Sequence, residues 1–186
     1  MAEVMTAKNL QFLHLGCGRI YFDGWLNIDL DSPVADLNLD LSQPLPLANG
    51  SVHYIYNEHF MEHLDLASGM RLLAECRRVL QPGGVLRIAM PDLDYLLDKY
   101  KGEWRDQDWL RWPEYQFVET RAQMLNMAMR EWGHQYLYNR EELELRLRQC
   151  GFTKIDFLSF GFSLHESLCN RETRPDSMLI AEAAHA

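Results

Sequence analysis

The stretch Leu13-His14-Leu15-Gly16-Cys17-Gly18 decides which fold this sequence predicts. Residues 11–15 form a short apolar run that is typical of a buried strand, and Gly16 follows at its end. Glycine lets the backbone turn sharply and approach a ligand without an intervening Cβ. A G-x-G pair by itself also occurs in ordinary turns, so its meaning depends on the residues that follow it.

Strand and helix patterns alternate along the rest of the chain. Strands are predicted at residues 25–30, 36–40, 52–56 and 85–90, with a closing pair at 155–160 and 178–183. Helices are predicted at residues 68–80, after Asp92, and from the capping-box-like Asn139 to Cys150. The alternation predicts an α/β fold, a Rossmann-like and mostly parallel sheet of about seven strands with helices on both faces. Such sheets bind ligands at the carboxyl ends of their strands.

Two segments modify this pattern. Only residues 19–24 separate Gly18 from Trp25, which predicts a shortened first helix. Residues 102–133 contain several tryptophans and methionines and no strand pattern, and we interpret them as an inserted helical cap. With 186 residues, the chain is expected to form a single domain over residues 1–186.

The charge and cysteine content exclude several classes of protein. The sequence has 27 acidic and 18 basic residues, and its net charge of −9 would repel a nucleic-acid backbone. The four cysteines form no C-x-x-C pair, so neither a zinc knuckle nor a disulfide framework is indicated. Residues 1–10 lack a signal-peptide core, and no apolar stretch approaches the roughly 18 residues of a membrane helix. We therefore expect a cytoplasmic protein without a nucleic-acid or membrane partner.

Polar residues end two of the predicted strands after the glycine turn. Asp29 ends the second strand, where its carboxylate could accept hydrogen bonds from two ribose hydroxyls. Asp40 ends the third strand, where a polar side chain can meet the exocyclic amine of an adenine. Either aspartate could instead be an ordinary surface residue or a helix cap. Their order along the chain favours a nucleoside-containing ligand.

The motifs taken together resemble the class I S-adenosylmethionine (SAM)-dependent methyltransferases, in particular small members with a methyltransferase type 11-like core. The likeness covers about residues 13–92. The motifs that carry it are Leu15-Gly16-Cys17-Gly18, the segment from Ser42 to Val52, Glu62-His63-Leu64, and the run Arg78-Val-Leu-Gln-Pro-Gly-Gly-Val-Leu86. The family usually has an acidic residue where this chain has His14 and a third glycine where it has Ile20.

The resemblance implies that SAM is the cofactor and assigns residues to its parts. It implies that Gly16, Cys17 and Gly18 cradle the methionine part. It further implies that Asp29 and the adjacent Leu30 lie at the ribose, that Asp40 and Leu41 border the adenine, and that Asn57 lies beside the sulfonium.

Methyl transfer mainly requires alignment of the acceptor with the sulfonium, together with a base when the acceptor carries a proton. His59, Glu58 and His134 are the candidate catalytic residues, although His134 could equally anchor the cap to the core. The expected activity is transfer of a methyl group to an oxygen or nitrogen of a small or medium molecule. The alternative is a non-catalytic SAM-binding partner protein. Three departures from the family pattern favour this alternative, namely the shortened first helix and the residues His14 and Ile20.

A second motif competes with this interpretation. His59-Phe-Met-Glu-His63 fits the H-x-x-E-H signature of inverted zinc peptidases, in which two histidines one helical turn apart bind zinc. That signature needs a long regular helix and a distal carboxylate ligand, whereas this segment directly follows a strand. The sequence analysis therefore assigns no metal site. Nicotinamide chemistry is disfavoured because no G-x-G-x-x-G is present.

Overall fold

The computed structural model describes residues 11–185, which are built around one seven-stranded sheet. The strand order is β3-β2-β1-β4-β5-β7-β6, and all pairs are parallel except those of β7, which runs antiparallel to β5 and β6. The strands are β1 (Phe12–Leu15), β2 (Leu26–Asp29), β3 (Leu37–Asn38), β4 (Val52–Glu58), β5 (Leu80–Met90), β6 (Lys154–Phe157) and β7 (Leu179–Ala184). The predicted Rossmann-like α/β fold is confirmed. The expectation about residues 1–10 lies outside the described residues.

Within residues 11–185, four α-helices accompany the sheet: α1 (Leu66–Val79), α2 (Leu93–Lys101), α3 (Arg121–Asn126) and α4 (Arg140–Gln149). Two of the predicted caps are present, because Asp92 accepts a hydrogen bond from the Asp94 amide and Asn139 accepts one from the Glu142 amide. In a full capping box the Glu142 side chain would also accept a hydrogen bond from the Asn139 amide. Here Glu142 accepts one from the Tyr136 hydroxyl instead. None of the helices within residues 11–185 is long and apolar enough to cross a bilayer.

The first face of the sheet carries the main hydrophobic core. Alternate residues of the central strands point to this face and pack against α1 and α4. The buried residues include Leu13, Leu15, Ile28, Ile55, Leu86 and Ile88 from the strands, Leu72, Leu73 and Cys76 from α1, and Leu143 and Leu147 from α4. Burial of these side chains provides the main hydrophobic stabilisation of the sheet.

The second face of the sheet differs from the expectation of helices on both faces. Within residues 11–185 its central strands are covered by loop residues, where Phe22, Trp25 and Leu168 pack on Tyr56 and Val85. Leu168 lies in a short 3-10 helix, Glu166–Leu168, and not in an α-helix. The physical reason is the shortness of residues 19–24, which form turns only, so the predicted shortened first helix is absent and aromatic side chains fill its space.

A buried arginine fixes the loop that covers this second face. Arg87 of β5 is fully buried, with Nε 2.6 Å from Glu172 Oε1 and Nη1 2.7 Å from Glu182 Oε1. Nη1 also donates to the carbonyl of Phe162. Because a buried charge is tolerated only when it is paired, these contacts hold the loop of residues 161–176 against the sheet.

Residues 102–133 form the predicted helical cap. They contain the 3-10 helices Asp108–Arg111 and Pro113–Tyr115, α3, and a five-residue π-helix, Met127–Glu131. Trp109, Val118, Met124 and Ala128 form a small core of their own with Leu96 of α2. The tryptophans therefore stabilise the cap itself.

The turn after α1 is tighter than predicted. β5 begins at Leu80 and includes Pro82-Gly83-Gly84, which the sequence analysis placed in a turn before the strand. Gly84 permits this because a Cβ there would lie 2.9 Å from the His53 carbonyl oxygen of β4. The pairing of β4 and β5 shifts in register at the same place, between Val52 and Tyr54.

Burial of His14 makes the stability of the fold depend on pH. Its imidazole stacks on Phe22 at 4.2 Å between ring centroids, and Nδ1 lies 3.1 Å from Asn27 Oδ1. Burial lowers the His14 pKa to about 4 from its ordinary 6.5. The unfolded chain therefore binds a proton at this residue before the folded chain does. The stability that His14 contributes is fully present above about pH 6.5 and is lost as the pH falls toward 4.

We expect the free energy of unfolding to fall by about 2 kcal/mol more between pH 7.5 and pH 5 in the wild type than in His14→Gln, which cannot titrate. Urea unfolding at both pH values measures this difference. The same pH dependence in both proteins would mean that His14 is protonated without cost in the folded state.

Candidate functional site

The glycine turn after β1 is bound to the end of β2. The amides of Gly16 and Cys17 both donate to the Ile28 carbonyl, at 2.9 and 3.1 Å, and the Gly18 amide donates to Asp29 Oδ2 at 2.8 Å. Gly16 and Gly18 have φ values of +66° and +55°, a backbone region that favours glycine. The predicted tight turn is thus present, and it places Gly18 against Asp29.

The two glycines have different surroundings. A Cβ at Gly16 would lie 2.3 Å from the ring of Phe60, whereas a Cβ at Gly18 would meet nothing within 4 Å. Gly16 is therefore required for the close approach of Phe60, and Gly18 borders open space. The side chain of Cys17 is buried beside Ser32, so a ligand can reach only the backbone of Cys17.

Asp29 and Leu30 lie beside this open space. The two carboxylate oxygens of Asp29 each accept one backbone hydrogen bond, Oδ2 from Gly18 and Oδ1 from Asp31, and each can accept another. Leu30 leaves 66% of its surface exposed, which is unusual for a large apolar side chain beside a carboxylate. The pair offers two acceptor atoms next to an uncovered apolar surface.

Asp40 and Leu41, which follow β3, differ in their exposure. Asp40 is exposed in the turn after β3, where hydrogen bonds from Ser42 hold the pKa of its carboxyl below the ordinary value. Leu41 is buried in the core of the first face, so its side chain is not available to a ligand. Their assignment to an adenine stays a prediction.

Asn57 lies in β4, next to the glycine turn. The pairing of His14 with Tyr56 puts Asn57 level with Leu15 at the ends of the two strands. Its side chain is buried, and among residues 11–185 neither its amide nitrogen nor its amide oxygen has a hydrogen-bond partner. Buried amide groups without partners are costly, and they are satisfied when a polar ligand binds.

Glu58, the last residue of β4, fastens a neighbouring loop. Its carboxylate accepts hydrogen bonds from the amides of Thr173 and Arg174 and from the hydroxyls of Thr173 and Ser177, at 2.6–3.0 Å. This arrangement uses most of the acceptor capacity of the carboxylate. Its predicted catalytic role is not tested by these contacts.

His59 follows β4 in a strained backbone conformation. Its φ is 47°, which is uncommon for a residue other than glycine and is often found at functional sites. Its Nδ1 lies 3.4 Å from Glu62 Oε1, and its Nε2 lies 3.7 Å from Asp176 Oδ1. Burial lowers the His59 pKa to about 3, so the ring is neutral at neutral pH.

Glu62 is a residue that the sequence analysis did not place in the site. Its side chain is 1% exposed, and neither carboxylate oxygen has a hydrogen-bond partner within residues 11–185. Burial raises the Glu62 pKa to about 8. The sequence signal for Glu62 is the H-x-x-E-H motif, which in the inverted zinc peptidases lies within a regular helix.

The structure does not place His59 and His63 on one helical face, as that zinc-peptidase signature requires. Only a single 3-10 turn, Met61–His63, follows His59, because α1 begins later, at Leu66 behind its cap Asp65. Instead, His134 comes from the end of the cap to the other side of Glu62, with Nε2 4.0 Å from Oε1. The rings of His63 and His134 are 5.0 Å apart between centroids.

A cavity of about 240 Å³ lies between the sheet edge and the cap. It is lined by residues that follow β5, by α2, by the cap, and by the loop before β7. Its walls include Asp92, Tyr95, Trp109, Trp132, His134 and Asp176. The cavity adjoins the group formed by His59, Glu62 and His134. His134 is itself a wall residue of the cavity, and the wall residue Asp176 lies 3.7 Å from His59.

The sequence profile of the methyltransferase domain family matches residues 13–88, which run from β1 into β5 and contain the glycine turn, Asp29 and Asn57. Over these residues the chain is similar to the methyltransferase domain family, and the predicted resemblance to the SAM-dependent methyltransferases is confirmed. The match indicates SAM as the cofactor, as predicted.

Solved methyltransferases share the fold at low sequence identity. A SAM-dependent methyltransferase from Mesorhizobium loti has a TM-score of 0.55 at 17% identity and is covered over 94% of its length by the whole of this chain. A Thermotoga maritima methyltransferase, described as a possible histamine N-methyltransferase, has a TM-score of 0.58 at 15% identity, over 95% of this chain and 82% of its own. An Archaeoglobus fulgidus methyltransferase has a TM-score of 0.54 at 16% identity, over 81% of this chain and 64% of its own.

A curated relative matches only part of this chain. An uncharacterized 37.1 kDa protein in transposon TN4556 of Streptomyces fradiae is 37% identical over 68 residues. That match covers 37% of this chain and 19% of the relative, so the chain spans about a fifth of the relative's length.

The residues of the site fit SAM chemically. The Asp29 carboxylate retains acceptor capacity for ribose hydroxyls, Gly18 borders open space, and the unpartnered amide of Asn57 is buried at the adjacent strand end. These residues lie in the order that the resemblance implied. Their individual contacts with the cofactor stay predictions.

Asp29→Ala is expected to weaken binding of S-adenosylhomocysteine at least 100-fold, because it removes the ionised carboxylate that accepts hydrogen bonds from the two ribose hydroxyls. Isothermal titration calorimetry measures the affinity. The matched control is Asp31→Ala, which makes the same charge change at an exposed position two residues away. Equal affinities for both variants and the wild type would remove Asp29 from the cofactor site.

Proposed function

We propose that this methyltransferase transfers a methyl group to an oxygen or nitrogen of a small or medium molecule bound in the cavity beneath the cap. The observation that carries the proposal is the position of His59. Its Nε2 is buried, has no hydrogen-bond partner within residues 11–185, and lies 3.7 Å from Asp176, a residue of the cavity wall.

His59 is the proposed base. Its neutral ring can accept a proton at Nε2, while Glu62 faces Nδ1 and orients the imidazole. Nε2 and Asp176 Oδ1 are two hydrogen-bond acceptors side by side, and a hydroxyl or amine of the substrate can donate to both. Glu58 acts at a distance by fastening the segment from Thr173 to Ser177, next to Asp176.

The cavity wall favours an acceptor with an apolar body and a hydrogen-bond donor. Tyr95, Trp109 and Trp132 supply aromatic surface, and Asp92 and Asp176 supply carboxylates. This composition supports a small-molecule amine, alcohol or phenol.

When bound, SAM supplies a methyl group on a sulfonium that can be attacked by a nucleophile. The chain's contribution is to hold the acceptor in the cavity, orient its hydroxyl or amine through Asp176, and take its proton at His59 Nε2. Transfer would join the methyl carbon to the oxygen or nitrogen of the acceptor as the carbon–sulfur bond breaks, and it would give the methylated acceptor and S-adenosylhomocysteine.

The cysteines support a reducing compartment for this activity. None of the four cysteines forms a disulfide, and Cys17 and Cys76 are buried. A cytoplasmic location suits these free thiols. The net charge of −9 supports a small-molecule acceptor over a nucleic acid.

His59→Asn is expected to lower the rate of methyl transfer at least 100-fold and to leave the affinity for S-adenosylhomocysteine within twofold of the wild type. Asparagine tolerates the positive φ of this position, so the backbone need not change. The assay measures S-adenosylhomocysteine release with a panel of small amines, alcohols and phenols.

His53→Asn, at the opposite end of β4, is the matched control and should keep the wild-type rate. Equal rates for His59→Asn and the wild type would exclude His59 as the base. Cofactor binding without turnover of any acceptor would support the non-catalytic alternative.

A further inference from the structure

We propose that Glu62, His63 and His134 form a binding site for one divalent transition-metal cation of the Zn²⁺ class. The site goes beyond the proposed function, because cation binding by these residues holds whether or not methyl transfer occurs. Two imidazole nitrogens and one carboxylate are a donor set that suits borderline cations such as Zn²⁺ better than Mg²⁺.

The geometry of the three side chains is close to that of a bound site. One ligand atom from each residue lies within 4.8 Å of the others. Ligands around a tetrahedral Zn²⁺, at bond lengths of about 2.0–2.1 Å, are separated by about 3.3 Å. Side-chain shifts of about 1 Å therefore close the site, and no backbone rearrangement is needed.

The hydrogen bond of His134 fixes which nitrogen faces the site. Its Nδ1 lies 2.7 Å from the carbonyl oxygen of Ala128, an acceptor, so Nδ1 carries the hydrogen. Nε2 is then unprotonated, and its lone pair is on the side of Glu62 Oε1, 4.0 Å away. Metal-binding histidines usually donate their second nitrogen to a carbonyl or carboxylate in this way.

The carboxyl group of Glu62 is almost completely buried. Its side chain is 99% buried, and both oxygens lack hydrogen-bond partners within residues 11–185. A carboxylate oxygen beside an imidazole lone pair is unfavourable in a low-dielectric interior. A cation between them would remove this repulsion and satisfy the carboxylate.

The backbone holds the two halves of the site together. The Glu62 carbonyl accepts hydrogen bonds from the amides of Gln135 and Tyr136, and the His63 carbonyl accepts one from the Gln135 side chain. The ligands are therefore positioned before any ion binds, which lowers the ordering cost of binding.

The cavity gives the site an accessible side. His134 lines both the cavity and the proposed metal site. Three protein ligands leave a fourth position for water or another small ligand, the arrangement that distinguishes open zinc sites from closed structural ones.

The direct test is a metal titration of the purified chain after treatment with a chelator. Calorimetry with Zn²⁺ should show one site of micromolar or tighter affinity, and Co²⁺ should give visible absorption bands of a four-coordinate site. Mg²⁺ should not bind detectably at the same concentrations.

Glu62→Gln and His134→Gln should each weaken Zn²⁺ binding at least tenfold, and the Zn²⁺-dependent rise in melting temperature should be lost in both. His53→Gln, a histidine outside the cluster, should behave as the wild type. Glu62→Gln keeps the shape of the side chain and removes only its ability to ionise, so it should fold; circular dichroism checks this.

Absence of Zn²⁺ binding in the wild type, or equal binding by all variants, would overturn the proposal. S-adenosylhomocysteine affinity measured on the same samples separates it from the proposed function. Cofactor binding without Zn²⁺ binding contradicts only the metal site, and Zn²⁺ binding without cofactor binding contradicts only the proposed function.

Discussion

Parallel pairing of β1 with both β2 and β4 is the constraint on which the site depends. The register aligns Leu15 with Ile28 and His14 with Tyr56, so the carboxyl ends of all three strands meet at one edge. The amides of Gly16 and Cys17 then bind the free carbonyl of Ile28 and fix the turn. A slip of one residue would send the side chains of each strand to the opposite face and separate this turn from Asp29 and Asn57.

The second organising feature is the burial of polar side chains beyond β4. Asn57, His59 and Glu62 are all buried, and each has at least one polar atom without a partner in residues 11–185. Folded proteins rarely leave such groups unsatisfied, and the exceptions are concentrated where ligands bind. The strained φ of His59 and the hydrogen bonds from four donor groups that bind Glu58 to the loop before β7 show that the surrounding structure holds this segment in place.

Local patterns predicted most of the fold, because strand periodicity, helix caps and glycine turns depend on neighbouring residues. Asp92 and Asn139 were correctly predicted as caps, and the position of Asp29 at a strand end followed from the strand pattern. Glu62 could not be placed in the same way. Its environment depends on His134, more than 70 residues away, and only the tertiary structure shows that the cap brings this histidine back to the 3-10 turn. The covering of the second face was also missed, because within residues 11–185 its side chains come from loops and one short 3-10 helix, which carry no periodic pattern.

A crystal structure of the chain with S-adenosylhomocysteine would show where the cofactor lies among these strand ends. We expect the ligand to contact Gly18, Asp29 and Asn57 and to leave the cavity beneath the cap free for an acceptor. A ligand bound inside that cavity, or one that makes no contact with Asp29, would contradict this expectation.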